Sequence, residues 1–247
     1  MVTATMIDRM RLPTIALLLA VLASCAPAPQ QRPPDGTLSK APASLFRPIE
    51  ERVPPREARR NFVAVVNAVE PVAERVCRER TNDVNCDFRI VVDDTVNASP
   101  NAFQTEDDDG RPIIGFTVSL IAVTRNRDEL AFIMAHEAAH HIRGHLQQSR
   151  QNAQLGATIA GALFGGEGAA AEAAQQIGAA IGFRTYSQDF ELEADALGTI
   201  IAARAGFDPI NGAQFFNRIP DPGNRFLGTH PPNRERLATV QRVAAGL

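Results

Sequence analysis

Between Arg56 and Val76 the apolar side chains Phe62, Val65, Val66 and Val69 recur at intervals of one, three and four residues, which lines one face of a helix. Pro71 can open a further turn carrying Val72 and Val76. Phe88-Arg89-Ile90-Val91-Val92 reads as a strand and Ile113 to Phe116 as another, with Pro100-Asn101-Ala102-Phe103 between them as an extended edge. Asn126, followed three residues later by Glu129, has the form of a capping pair and predicts a helix from Arg127 to Gln148. Residues 153–183 are rich in Ala and Gly, and Gly165-Gly166-Glu167-Gly168 divides them into two small-residue helices. Neither piece reaches the roughly 20 apolar residues that a membrane span needs, which leaves an interfacial role open. Further helices are expected over Asp189–Ala205, from Asp208-Pro209, and over Asn233–Ala245 with Leu237, Val240 and Ala244 on one face.

The N-terminal segment has a different pattern. Arg9 and Arg11 precede an apolar run from Leu12 to Ala23 that ends Leu22-Ala23-Ser24-Cys25. A charged start, a short apolar stretch and small residues at its end describe an export signal over residues 1–24. The ending resembles a bacterial lipobox, which implies acylation of Cys25, and Ala26 after it favours the periplasmic side of the outer membrane. From Ala26 to Pro55 the sequence is dense in Pro, Gln and Ala without apolar periodicity, so residues 25–55 read as a tether to a folded domain over 56–247. Export makes a disulfide between Cys77 and Cys86 the expected state of that pair.

Of the 247 residues, 45% are hydrophobic, enough for one ordinary domain, and the net charge of −3 gives no reason to expect nucleic acid. Asp107-Asp108-Asp109-Gly110 lacks the spaced donors and closing Glu of a calcium loop and reads as a solvated turn.

The chemistry concentrates in His136-Glu137-Ala138-Ala139-His140, inside the helix expected from Arg127. Residues four apart share a helix face, so both imidazoles can reach one metal ion while Glu137 lies beside it as a base. A catalytic zinc needs a third protein donor and an open position. Glu191 and Asp195, four apart on the helix predicted downstream, also share a face; Glu193 points elsewhere. One carboxylate could bind the metal while the other accepts the outer ring N–H of a liganding His, which favours Glu191 over Glu193 as donor.

Four stretches extend this pattern: Asn126 to His145; Ser187 to Gly198; Ala205-Gly206-Phe207-Asp208-Pro209; and Thr229-His230-Pro231-Pro232 to Arg236-Leu237. In this order, across residues 57–247, they resemble metallopeptidase family forty-eight. The resemblance implies a mainly helical α+β zincin fold with a small β-sheet, one Zn2+ on His136, His140 and Glu191, Glu137 as general base, and Asp195 behind the ligands. Two positions depart from the usual pattern. Ala139 stands where Gly is common, and Ser187-Gln188 where Ser-Arg is common, which removes an ion pair without touching the donors.

His141 and His145 are placed by spacing on the helix surface or in structural roles, outside the ligand set. His230 lies in a Pro- and Gly-rich loop and could donate to a developing oxyanion, plug the open metal position, or merely cap the turn before Pro231. Tyr186 could donate or pack. The resulting expectation is a zinc endopeptidase held to the membrane by its N-terminal lipid, acting on unfolded or misassembled envelope proteins. The rivals are a protease-like binding module with little turnover and a purely structural lipoprotein, and the intact Glu137 speaks against both.

Overall fold

The computed structural model describes residues 52–164, 168–185, 187–220 and 231–247. The export signal, Cys25, most of the tether, Tyr186 and His230 lie outside the described residues. Helix α1 (Pro55–Arg80) is followed by strands β1 (Arg89–Asp93), β2 (Ala102–Glu106) and β3 (Pro112–Thr117). Six further α-helices then complete the described order up to the last: α2 (Val118–Val123), α3 (Arg127–Ile142), α4 (His145–Leu163), α5 (Ala169–Arg184), α6 (Ser187–Arg204) and α7 (Pro209–Ala213). A 3-10 turn, Gln214–Asn217, and helix α8 (Asn233–Ala244) follow. The result is the expected α+β arrangement, helices around a small sheet.

Helix α1 is longer than the periodicity suggests, because Pro71 sits inside it without ending it. Its buried stripe of Phe62, Val65, Val69, Val72 and Val76 packs on α3. At its C-terminal end Cys77 is joined to Cys86 by a disulfide, which ties the helix to the approach of β1. The sheet has the order β1-β3-β2, with β1 parallel and β2 antiparallel to β3, so β2 is an edge. Asp107 shapes the β2–β3 turn: its Oδ1 accepts from the backbone N–H groups of Asp109 at 3.1 Å and Arg111 at 2.8 Å. Helix α2 was not foreseen; Thr117 caps it by accepting from Leu120 N–H at 3.2 Å.

Helix α3 is the hub. From Leu130 to His136 every residue is buried, and α1, α6, α7, β2 and β3 all touch it. Asn126 caps it by accepting from Glu129 N–H at 2.9 Å, but Glu129 returns its bond to Arg125 N–H at 2.7 Å instead of to the cap residue. The single helix expected over Arg127–Gln148 is in fact two. Gly144 adopts φ 68°, a left-handed conformation that Gly enters without a Cβ clash, and this ends α3 at Ile142 and starts α4 at His145.

Candidate metal centre

Two helices carry the centre, and they touch at its level. A Cβ added to Gly198 of α6 would lie 3.0 Å from the His136 backbone N, a tight contact, so the glycine eases this close approach of α6 to α3. Glu191 is two turns earlier on the same face, which brings its carboxylate against the two imidazoles. His136 and Glu191 are buried, and His140 is half-buried.

The separations test whether this set fits a metal ion. His136 Nε2 and His140 Nε2 are 3.0 Å apart, His140 Nε2 and Glu191 Oε1 3.3 Å, and His136 Nε2 and Glu191 Oε2 3.5 Å. A tetrahedral zinc with bonds of about 2.0–2.1 Å has ligand-to-ligand edges of about 3.3 Å. Two neutral imidazoles and a carboxylate are also the donor types zinc takes, so the residues fit the ion. Among the described residues they form the one cluster of at least three His, Cys, Asp or Glu able to hold one.

What lies behind the donors fixes how they point. Asp195, fully buried one turn beyond Glu191, has its Oδ1 2.9 Å from His136 Nδ1, which turns Nε2 toward the cluster. Without a metal, burial alone would lower the His136 pKa, but its bonds to Asp195 and Glu191 outweigh this and raise it to about 9. Burial would likewise raise the Asp195 carboxyl, yet the Arg236 charge and its hydrogen bonds hold it below the usual carboxylate range.

Arg236 of α8 is a site residue the spacing argument did not isolate. Its Nε donates to Asp195 Oδ2 at 2.8 Å and its Nη2 to Oδ1 at 2.7 Å, a bidentate pair, with Phe216 under the guanidinium at 3.9 Å. Nη2 is almost equidistant from both His136 ring nitrogens, 3.3 and 3.4 Å. The in-plane lone pairs of an imidazole diverge, so Arg236 packs on this ring instead of bonding either nitrogen.

His145 also changes role. It is buried, not on the surface, because the Gly144 turn swings it back over α3. Its Nδ1 lies 2.9 Å from His140 Nδ1, its Nε2 lies 3.5 Å from Glu193 Oε2, and its ring stacks on Phe190. Burial and the neighbouring His140 push its pKa down to about 3, so the neutral ring can accept the His140 N–H. Glu193 therefore faces away from the donor cluster but stands at the end of the His140–His145 chain. His141 is buried too, its Nε2 2.8 Å from Asn85 O, and belongs to the sheet side of α3.

Glu137 is half-buried on α3 beside the cluster, and no hydrogen bond to another described residue restrains its carboxylate. A cavity of 240 Å³ opens nearby between β2 and α3, lined by Gln104, Glu106, His140 and His141 among others. The signal that could have found Arg236 and His145 was present, since both lie inside the stretches that resemble the family. Spacing alone could not show that a helix break and a distant helix bring them to the metal donors.

Residues 67–244 match peptidase family M48. The chain is 31% identical over 144 residues to the beta-barrel assembly-enhancing protease of Escherichia coli strain K12, covering 51% of this chain and 29% of that relative. It is 29% identical over 171 residues to the mitochondrial metalloendopeptidase OMA1 of Saccharomyces cerevisiae, covering 64% of this chain and 47% of the yeast protein. The matched region thus spans less than half of either relative. With a family match across most of its length and a donor cluster of the right chemistry, the chain belongs to peptidase family M48, the zinc metalloproteases.

Proposed function

We propose that this chain is an envelope endopeptidase that uses one zinc ion, held by His136, His140 and Glu191, to cleave unfolded or misassembled proteins. The observation that carries the reading is the set of 3.0–3.5 Å separations among the three donors, with Glu137 next to them on α3. Zinc, when bound there, supplies a Lewis acid for the scissile carbonyl and for water. Glu137 takes the proton from the attacking water and later passes it to the leaving amine. Asp195 holds the His136 ring in the tautomer that leaves Nε2 free to bind, and Arg236 keeps Asp195 charged and in place. The His140–His145–Glu193 chain does the same for the second imidazole.

Edge strand β2 offers backbone groups on its outer side, beside the cavity against α3, and an extended substrate segment would add there as a further antiparallel strand. That favours unfolded segments over compact ones. The name of the Escherichia coli relative, a beta-barrel assembly-enhancing protease, supports misassembled envelope proteins as the substrate class. The lipobox-like ending at Cys25 supports acylation there and attachment to the periplasmic face of the outer membrane.

The experiment is cleavage of casein by purified chain, with metal content measured on the same sample. One zinc per chain and turnover that disappears in Glu137→Gln, with zinc retained, support the reading. Zinc with no turnover in the parent chain would instead favour a protease-like binding module, and absence of zinc would remove the metal centre altogether.

A further inference from the structure

The hairpin of α4 and α5 is built inside out. Its seam is made of small residues: Gly156, Ala160, Gly178 and Gly182 bring the two backbones together so closely that a Cβ at Gly156 would lie 2.1 Å from the Gly178 carbonyl oxygen. Its large apolar side chains point outward. Leu155, Ile159 and Leu163 on α4 and Ile177 and Ile181 on α5 are exposed, Leu163 at 72% and Ile177 at 61%. A hairpin stabilised in water by the hydrophobic effect places those residues the other way round.

The two exposed stripes are on one side of the hairpin. At 100° per residue, the Leu155/Ile159/Leu163 stripe lies about 80° around α4 from the Gly156/Ala160 seam, and the Ile177/Ile181 stripe about 100° around α5 from Gly178/Gly182 in the same rotational sense. Because the helices run antiparallel, similar rotation in the same sense turns both stripes to the same face. Glu172 and Gln176 on α5 fall outside that sector, and the charged residues of the described hairpin beyond its first turn are Arg150, Glu172 and Arg184. Arg184, in the last turn of α5, falls in that sector and the exposed Phe183 falls outside it, so the face is apolar with a single cation at its end.

We propose that this face lies in the surface of a lipid bilayer. Close Gly/Ala contact is what holds helices together where no water drives their association, and the outward Leu and Ile then meet acyl chains. Among the described residues no helix is long and apolar enough to cross a membrane, so the hairpin lies in the interface and does not span it. The low charge points to binding that does not require anionic lipid. The inference leans on the proposed acyl anchor only for delivery: residues 26–54 give Cys25 enough chain to sit in the same bilayer. The hairpin joins α3 to α6, so docking it would orient the metal centre toward proteins at the membrane surface.

The sequence contains no tryptophan, so a single introduced one reports without background. Full-length Leu163→Trp is reconstituted with phosphatidylcholine vesicles, alongside Val96→Trp, whose position is 83% exposed on the β1–β2 loop. Emission from position 163 shifts to the blue and is quenched by brominated phosphatidylcholine, emission from 96 does neither, and 0.5 M salt changes nothing. Replacing Leu155, Ile159, Ile177 and Ile181 together by Gln, all at exposed positions, removes the quenching while casein cleavage stays at the parent rate. A water-like spectrum at 163 with vesicles present overturns the proposal. A concentration-dependent blue shift without lipid assigns the face to a second copy, and loss of casein cleavage in the fourfold variant assigns it to substrate; either also overturns it. Mass spectrometry of the N-terminus tests the acyl anchor separately, so failure of one reading is not mistaken for failure of the other.

Discussion

Arg236→Met removes the cation from a buried bidentate pair while leaving Asp195 in place, with Met close enough in volume to keep Phe216 covered. Losing one partner of such a pair costs about 3–5 kcal/mol, because the remaining charge stays out of water without its counterion. In metal-free protein Asp195 keeps one cation, since His136 has its pKa raised to about 9 and is protonated at pH 7. The cost there falls at the low end, about 3 kcal/mol. With zinc loaded, His136 gives up that proton but binds a dication through the same ring, so Asp195 still faces positive charge and the cost stays at about 3 kcal/mol. At about 2–4 °C per kcal/mol for a domain of this size, the melting temperature drops by roughly 6–12 °C both in EDTA and with zinc. Asp195 has its carboxyl pKa depressed in the fold, so the stability it contributes is present above the ordinary carboxylate range and is lost as pH falls through the folded value. The gap between parent and variant therefore narrows on acidification. Calorimetric scans from about pH 2 to pH 7, with and without zinc, measure all three quantities. A drop below about 2 °C in both metal states, or a variant more stable than the parent, would refute the view that Arg236 is the counterion on which Asp195 depends.

Glu191→Gln should lose most bound zinc while Glu193→Gln keeps it, and Asp195→Asn should weaken zinc about 10–100-fold, as metal analysis after dialysis against a graded chelator will read. Reducing the Cys77–Cys86 bond should cost about 2–3 kcal/mol by reopening a short loop, seen as a lower melting temperature in dithiothreitol that Cys77→Ser/Cys86→Ser reproduces without reductant. Mature protein should begin at an acylated Cys25, and an unmodified soluble N-terminus in the mass spectrum would remove the anchor. His230→Ala should raise casein cleavage with zinc content unchanged, as expected of a plug; a loss of roughly 10²–10³ in turnover would make His230 an oxyanion donor instead.

The local rules read well where a residue acts through its own neighbours. The Asp208 cap on α7, accepting from Ile210 N–H at 2.8 Å and Asn211 N–H at 3.1 Å, follows from Asp before Pro. The shared face of Glu191 and Asp195 follows from helical spacing, as does the pairing of His136 with His140. What escaped depends on a single dihedral or on tertiary contact. Gly144 looks like any glycine near a helix end, yet its left-handed turn decides whether His145 faces solvent or His140. Helix α3 is buried around most of its circumference and so shows no amphipathic stripe; its position as the hub had to come from the motif it carries. Arg236 is one of many arginines by composition, and only the packing of α8 against α6 gives it a carboxylate to hold.

That dependence on α8 bears on the order in which the chain is made. The metal donors are all synthesised before Arg236, but the ion pair that secures Asp195 behind His136 cannot form until α8 has emerged. A nascent chain that has reached Glu191 holds every donor and still lacks the clamp on its first imidazole. Assembly of the site therefore waits on α8, the helix that comes last among its elements.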